Sequence, residues 1–114
     1  MPIGRARRVR VFPAADVTRR SDREVDPRDV GLEPSAIEAI WRSVEVFYET
    51  GLQPSMALCV RHRGQIVLDR AIGHVRGNTP DGPEGALEQA TPDSRYSLFS
   101  ASKVAVAMLV HLCD

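Results

Sequence analysis

Two residues in this chain combine types and spacing that could do covalent chemistry. Ser100 and Lys103 stand at the head of the segment LFSASKVAVAMLVHLCD, and Lys103 is the only lysine among 15 basic residues. A serine in the first turn of a helix points its hydroxyl toward the positive end of the backbone dipole, where developing negative charge is favoured. Its own amide has no intrahelical acceptor and can serve as half of an oxyanion hole. Lys103, one turn further on, falls on the same face. Burial beside that positive end disfavours an ammonium and favours an amine able to accept the serine proton. The competing reading is structural: Ser100 or Ser102 caps the helix and Lys103 lays its stem along the helix edge.

Such a pair works only if other elements position it. From Ala101 onward, Val104, Ala105, Val106, Ala107, Met108, Leu109 and Val110 follow without a polar break. A helix apolar on every side is expected to be buried on every side. Ahead of it, residues 95–99 read as a short extended lead-in. Further upstream, LEPSAIEAIWRSVEVFYETG carries Ile37, Ile40, Trp41, Val44, Phe47 and Tyr48 at helical spacing, with Arg42, Glu45 and Glu49 off the stripe. Ser35 and Glu38 have the spacing of a capping box at its start, and Gly51 supplies the stop. The stretch SMALCVRHRGQIVLDRAIGHV reads as a hairpin with strands over 56–61 and 65–72 and Arg63-Gly64 as its turn. Gly73 and Gly77 are expected to end the second strand. Residues 76–93, with three glycines and three prolines, predict a surface excursion rather than an element.

Residues 1–31 are rich in Arg and Asp, contain Pro13 and Pro27 and show little periodicity, which predicts a flexible or loosely docked arm. Arg5, Arg7, Arg8 and Arg10 could touch phosphate. Five acids follow between Asp16 and Asp29, however, and the formal net charge of the chain is zero, so a solvated tail is favoured over a nucleic-acid site. The N-terminus lacks the apolar core of a signal peptide, and no segment approaches the ~20 apolar residues that span a bilayer. A cytoplasmic protein is expected. Cys59 and Cys113 match no metal spacing and read as buried or half-buried free thiols. No metal and no cofactor are expected.

One amphipathic helix and a two-stranded hairpin cannot cover a fully apolar helix, and a lone hairpin is marginal in water. Asp114 places a carboxylate at the negative end of the helix dipole, with no C-cap glycine in view. The sequence therefore predicts the front part of a larger domain: an arm over 1–31, then a partial domain over 32–114 that stops after the nucleophile helix.

Ser100-Ala101-Ser102-Lys103 fits the pattern S-x-x-K. Around it stand a helix, GLEPSAIEAIWRSV, a hairpin, PSMALCVRHRGQIVLDRAIG, a Gly/Pro-rich loop and the lead-in TPDSRYSLFSASK. Their order and spacing, from about Gly31 to the C-terminus, resemble the amino-terminal region of the class C β-lactamase, DD-peptidase and family VIII esterase superfamily. The resemblance implies an α+β, β-lactamase/transpeptidase-like fold, with this chain its N-terminal fragment: helix, β-hairpin, loop and buried nucleophile-bearing helix. It implies Ser100 as the acylated nucleophile, Lys103 as its proton partner, Ser102 as a small polar filler, and a small-molecule ester or amide as substrate. The family's second motif, Tyr-x-Asn or Ser-x-Asn, is matched by neither Tyr48-Glu49-Thr50 nor Tyr96-Ser97-Leu98. Its third, Lys/His-x-Gly, is matched in letters by His62-Arg63-Gly64, but that triplet precedes the serine where the family's follows it. Both motifs are expected beyond residue 114. An esterase-type or β-lactamase-like hydrolase is thus implied for the complete protein, with little or no catalysis by these 114 residues. The alternative is a non-catalytic remnant or binding module that associates through its apolar helix.

Overall fold

The core forms where a helix, α2 (Pro34–Glu49), lies against an antiparallel sheet; the computed structural model describes residues 7–113. Pro34 opens α2 at a position where a missing N–H costs nothing. Glu33 is the residue before it, and no side chain caps the helix. The expected capping box therefore does not form. Ser35 lies inside the first turn, and the Glu38 carboxylate instead accepts from Arg70 Nη2 at 2.8 Å. Ile37, Trp41 and Tyr48 are buried and Val44 packs beside them, a stripe at i, i+4, i+7 and i+11. Ile40 and Phe47, expected on the same stripe, are exposed on its flanks. Gly51, at φ 72°, ends the helix as expected, its N–H donating to Tyr48 O at 3.1 Å.

The sheet is built on a hairpin of β2 (Ser55–His62) and β3 (Gln65–Thr79). Arg63 and Gly64 make its turn with φ of 52° and 78°, the paired positive values a two-residue type I′ turn requires. Met56 pairs with Ile72 and Val60 with Leu68, and all four side chains join the core under α2. β3 runs on past Gly73 and Gly77 and pairs with a further strand, β4 (Gly82–Gln89). The surface excursion expected over 76–93 is thus largely a second hairpin. The two glycines are not stops but points of close approach. At Gly73 (φ 92°) a Cβ would lie 2.1 Å from Pro54 O, and at Gly77 (φ 89°) 2.7 Å from Ala86 O. The pairing of β3 with β4 shifts register on both sides of Arg76, as bulged strands do.

Residues 7–31, expected as a flexible or loosely docked arm, pack along the sheet. Val9, Val17 and Val30 are buried. After a short helix, α1 (Ala14–Val17), strand β1 (Thr18–Arg20) pairs with β3 through Thr18/Ile72 and Arg20/Arg70. Ser21 N–H and Val25 N–H then donate to Asp69 O and Ile66 O, both at 2.9 Å. Further back, the Asn78 side chain accepts from Arg10 N–H and donates to Arg10 O, taking the place of a strand partner. Arg7 forms an ion pair with Asp81 rather than facing solvent alone. Arg5 and Asp114 lie outside the described residues.

Arg70 joins the layers. Its side chain, 6% exposed, binds Glu24 from the N-terminal segment, itself 2% exposed, and Glu38 from α2. The guanidinium also stands 5.8 Å from the centre of the Trp41 ring.

The last element, α3 (Ser102–Cys113), follows a 3₁₀ turn over Phe99–Ala101. No residue of α3 is buried. Val104, Val106, Met108, Leu109, Val110 and Leu112 are between 59% and 81% exposed, where burial on every side was expected. α2 already occupies the core-facing side of the sheet, and the described residues hold no second layer against α3. Cys59 and Cys113, expected to be at least half buried, are both exposed.

Candidate active site

The approach to Ser100 starts at the end of β4. Ala90, fully buried, donates its N–H to Gly73 O at 2.8 Å, which ties the loop to β3. Thr91 and Ser94 then close a small ring: Thr91 N–H donates to Ser94 Oγ at 2.8 Å, and Ser94 N–H to Thr91 O at 3.0 Å. Between them Asp93 accepts from Arg23 Nη2 at 2.9 Å, and the same nitrogen reaches Asp69 Oδ2 at 2.9 Å. Asp69 first, then Asp93, holds the Arg23 guanidinium firmly in its charged form. Beyond Arg95, residues Tyr96 and Ser97 border a hollow of about 310 Å³ with Gln53, Pro54 and Val75.

The chain then turns. Ala101 N–H donates to Leu98 O at 3.0 Å, closing the 3₁₀ turn that holds Ser100, and Lys103 is the second residue of α3. In a 3₁₀ turn residues three apart are eclipsed, and in the following α-helix they remain neighbours. By that geometry a serine at position 100 and a lysine at 103 are neighbours along the helix entrance. Both are exposed, so the enclosure expected around them is absent from the described residues.

The other motif candidates lie elsewhere or do structural work. His62-Arg63-Gly64 is the β2–β3 turn and its flank. Tyr48 is fully buried, and its hydroxyl accepts from Phe12 N–H at 3.2 Å. Sequence reading missed Arg23, Asp69 and Asp93. Arg23 and Asp93 are 70 residues apart, so no local pattern could pair them. Among the described residues, no group of three or more His, Cys, Asp or Glu could hold a metal ion. No helix among them is long and apolar enough to cross a membrane.

No curated protein and no solved structure matches the chain. A family model described as Beta-lactamase matches residues 42–113, from the middle of α2 through both hairpins to the end of α3, and so includes Ser100 and Lys103. That match spans more than half of the sequence and agrees with the mixed helix and antiparallel-sheet architecture. The chain belongs to the Beta-lactamase family.

Proposed function

We propose that this chain carries the nucleophile-bearing front part of a serine hydrolase that acylates Ser100 and then hydrolyses the acyl-enzyme. The observation that carries the reading is the entry of α3: a serine on the helix-entry turn with a lysine one turn on, inside a segment matched to the Beta-lactamase family. In the acylation step Ser100 Oγ attacks the carbonyl carbon of an ester or amide. Lys103 Nζ takes the hydroxyl proton and passes it to the leaving alcohol or amine as the acyl–heteroatom bond breaks. Water then adds to the acyl-serine, and the carboxylic acid leaves as Ser100 regains its proton. The free backbone N–H at the helix entrance would donate a hydrogen bond to the oxyanion.

Exposure of Ser100 and Lys103 supports the further reading that the working site is completed by elements outside the described residues. Those elements would cover α3, dehydrate Lys103 and bring the second and third motifs that the superfamily resemblance implies. The test is hydrolysis of p-nitrophenyl butyrate beside nitrocefin by the complete gene product. Ser100→Ala is expected to lower the preferred activity by at least about 10³-fold. Lys103→Ala is expected to lower it by about 10²-fold or more. Ester turnover that survives Ser100→Ala removes the mechanism.

The bare α3 favours a second reading, a non-catalytic module that associates through this helix. On that reading the purified chain binds ANS and self-associates in sedimentation and shows no burst with an activated ester. A monodisperse, cooperatively unfolding monomer refutes it.

A further inference from the structure

The path from sheet to nucleophile contains a fastening that the hydrolase reading does not itself require. We infer that Arg23 is a positioning residue: it clamps Asp93, in the approach to Ser100, onto Asp69 of β3. The inference rests on the proposed function only for what the clamp is for, since the clamp itself is a matter of local order.

Three features set this contact apart from an ordinary surface ion pair. First, the guanidinium is pinned before Asp93 reaches it. Arg23 Nε donates to Ser21 Oγ at 3.0 Å, and that hydroxyl also accepts from Arg23 N–H at 3.0 Å. Ser21 is in turn held by its own N–H to Asp69 O. A pre-oriented planar fork loses less side-chain freedom on pairing than a free one does. Second, the anchoring partner is buried. The Asp69 side chain is 7% exposed, and Arg23 is the cation facing it, so this half of the clamp is held by the cost of leaving a buried carboxylate unpaired. Third, the gripped partner is almost free of other duties. The Asp93 side chain is 82% exposed and projects from the Thr91–Ser94 ring, so its bond acts on the loop and not on the core.

The geometry matters because the loop has few other restraints. None of residues 91–98 is buried, and Arg95, Tyr96 and Ser97 border the hollow beside Pro54 and Val75. Releasing Asp93 leaves the segment between Ala90 and the 3₁₀ turn tethered mainly by the Thr91–Ser94 ring. The nucleophile turn would then sample a wider range of positions over the sheet, at almost no cost to the core.

Asp93 is the residue to vary, because its exposure separates positioning from folding. In the intact chain, Asp93→Asn and Asp93→Lys are expected to leave the thermal midpoint unchanged. They should raise the exchange rates of the Ser94 and Ala101 amides and the rate of tryptic cleavage after Arg95, by roughly three- to five-fold for Asn and more for Lys, which repels Arg23. Asp93→Glu, which keeps the charge, is expected to restore most of the protection. Exchange and cleavage at the parental rate in Asp93→Lys overturn the clamp, as does failure of Glu to restore what Asn loses. None of these readings uses turnover. Loss of ester hydrolysis on Ser100→Ala tests the hydrolase reading separately.

Discussion

Two regions of this molecule meet water in opposite ways. Residues 7–98 place nearly every large apolar side chain of their central strand, β3, under α2 or the N-terminal segment. Residues 99–113 leave six large apolar side chains of α3 more exposed than buried. The local rules are the same in both, and each segment is helix or strand as its pattern demands. What differs is the partner. α2 shows one apolar stripe and finds one sheet face, whereas α3 is apolar all round and would need several neighbours. Secondary structure follows from nearby sequence, but burial follows from what else the chain brings to the place.

The largest expected effects fall on the covered side. Trp41, 3% exposed, stacks with Arg70 and fills the core, so Trp41→Ala is expected to cost about 3–5 kcal/mol by urea denaturation. Arg70→Leu is expected to cost about 3 kcal/mol, because the buried Glu24 carboxylate then keeps only the exposed Arg20 and the Asp69 N–H as partners. Since the two side chains touch, the double variant should lose clearly less than the sum. Strict additivity would mean that Arg70 does not pack on the ring.

Two glycines of the β2–β3 hairpin, Gly73 and Gly64, sharpen the same comparison within the sheet. Gly73→Ala would drive a Cβ to 2.1 Å from Pro54 O, against backbone that cannot yield without breaking the β2–β3 pairing. Gly64→Ala meets nothing within 4 Å and bears only the strain of φ 78°. The second is expected to cost about 1 kcal/mol, and the first enough to prevent cooperative unfolding from being observed. Equal costs would show that β3 has slack at Gly73.

Acidification probes the covered region through two groups in succession. His74 lies 4.8 Å from the Phe12 ring, and its Nδ1 has no hydrogen-bond partner among the described residues. Burial pushes its pKa below the ordinary 6.5, so the folded state favours the neutral ring. Hydrogen bonding to Arg70 pushes Glu38 below the ordinary 4.5, so the folded state favours the carboxylate. Both are depressed in the fold. Each contribution is therefore complete above the unfolded value and is lost as pH falls toward the folded one. Stability is expected to decline in two stages, the first beginning near 6.5 and the second near 4.5. His74→Phe should abolish the first stage and leave the second. A first stage that persists in that variant assigns it to another group.

How much of this was legible beforehand depended on the reach of each interaction. The helix over α2, its Gly51 stop and the Arg63-Gly64 turn are encoded within a few residues and could be read directly. The capping box failed because Pro34 starts the helix and Arg70 claims Glu38, a partner 32 residues away. The N-terminal segment was misread for the same reason: its acids and arginines look like a solvated tail until Glu24 meets Arg70, 46 residues on. Gly73 and Gly77 signal a special backbone, and only the neighbouring strand decides that the special feature is a close approach within β3 rather than an end. At the site, the offset between Ser100 and Lys103 was visible in the letters. Their surroundings were not, since enclosure depends on neighbours that spacing does not specify.

The smallest effect separates the two regions most sharply, because it should differ in sign. An isolated helix of 12 residues is marginal in water and rests on intrinsic propensity, in which alanine exceeds valine by about half a kcal/mol. Val106 is 59% exposed, so Val106→Ala removes no buried contact and is expected to raise the helical content of α3 slightly while leaving the denaturation midpoint unmoved. Val67 is 1% exposed, and the same substitution there deletes buried methyl groups from a strand that favours β-branched residues. Val67→Ala is expected to cost about 1–3 kcal/mol. Helicity by circular dichroism and midpoint by urea together read both outcomes. If Val106→Ala lowers stability by more than about 1 kcal/mol, α3 is packed in solution and the contrast between the regions fails. If complete gene product shows the loss and the isolated chain does not, the cover over α3 comes from outside these residues, as the proposed site requires.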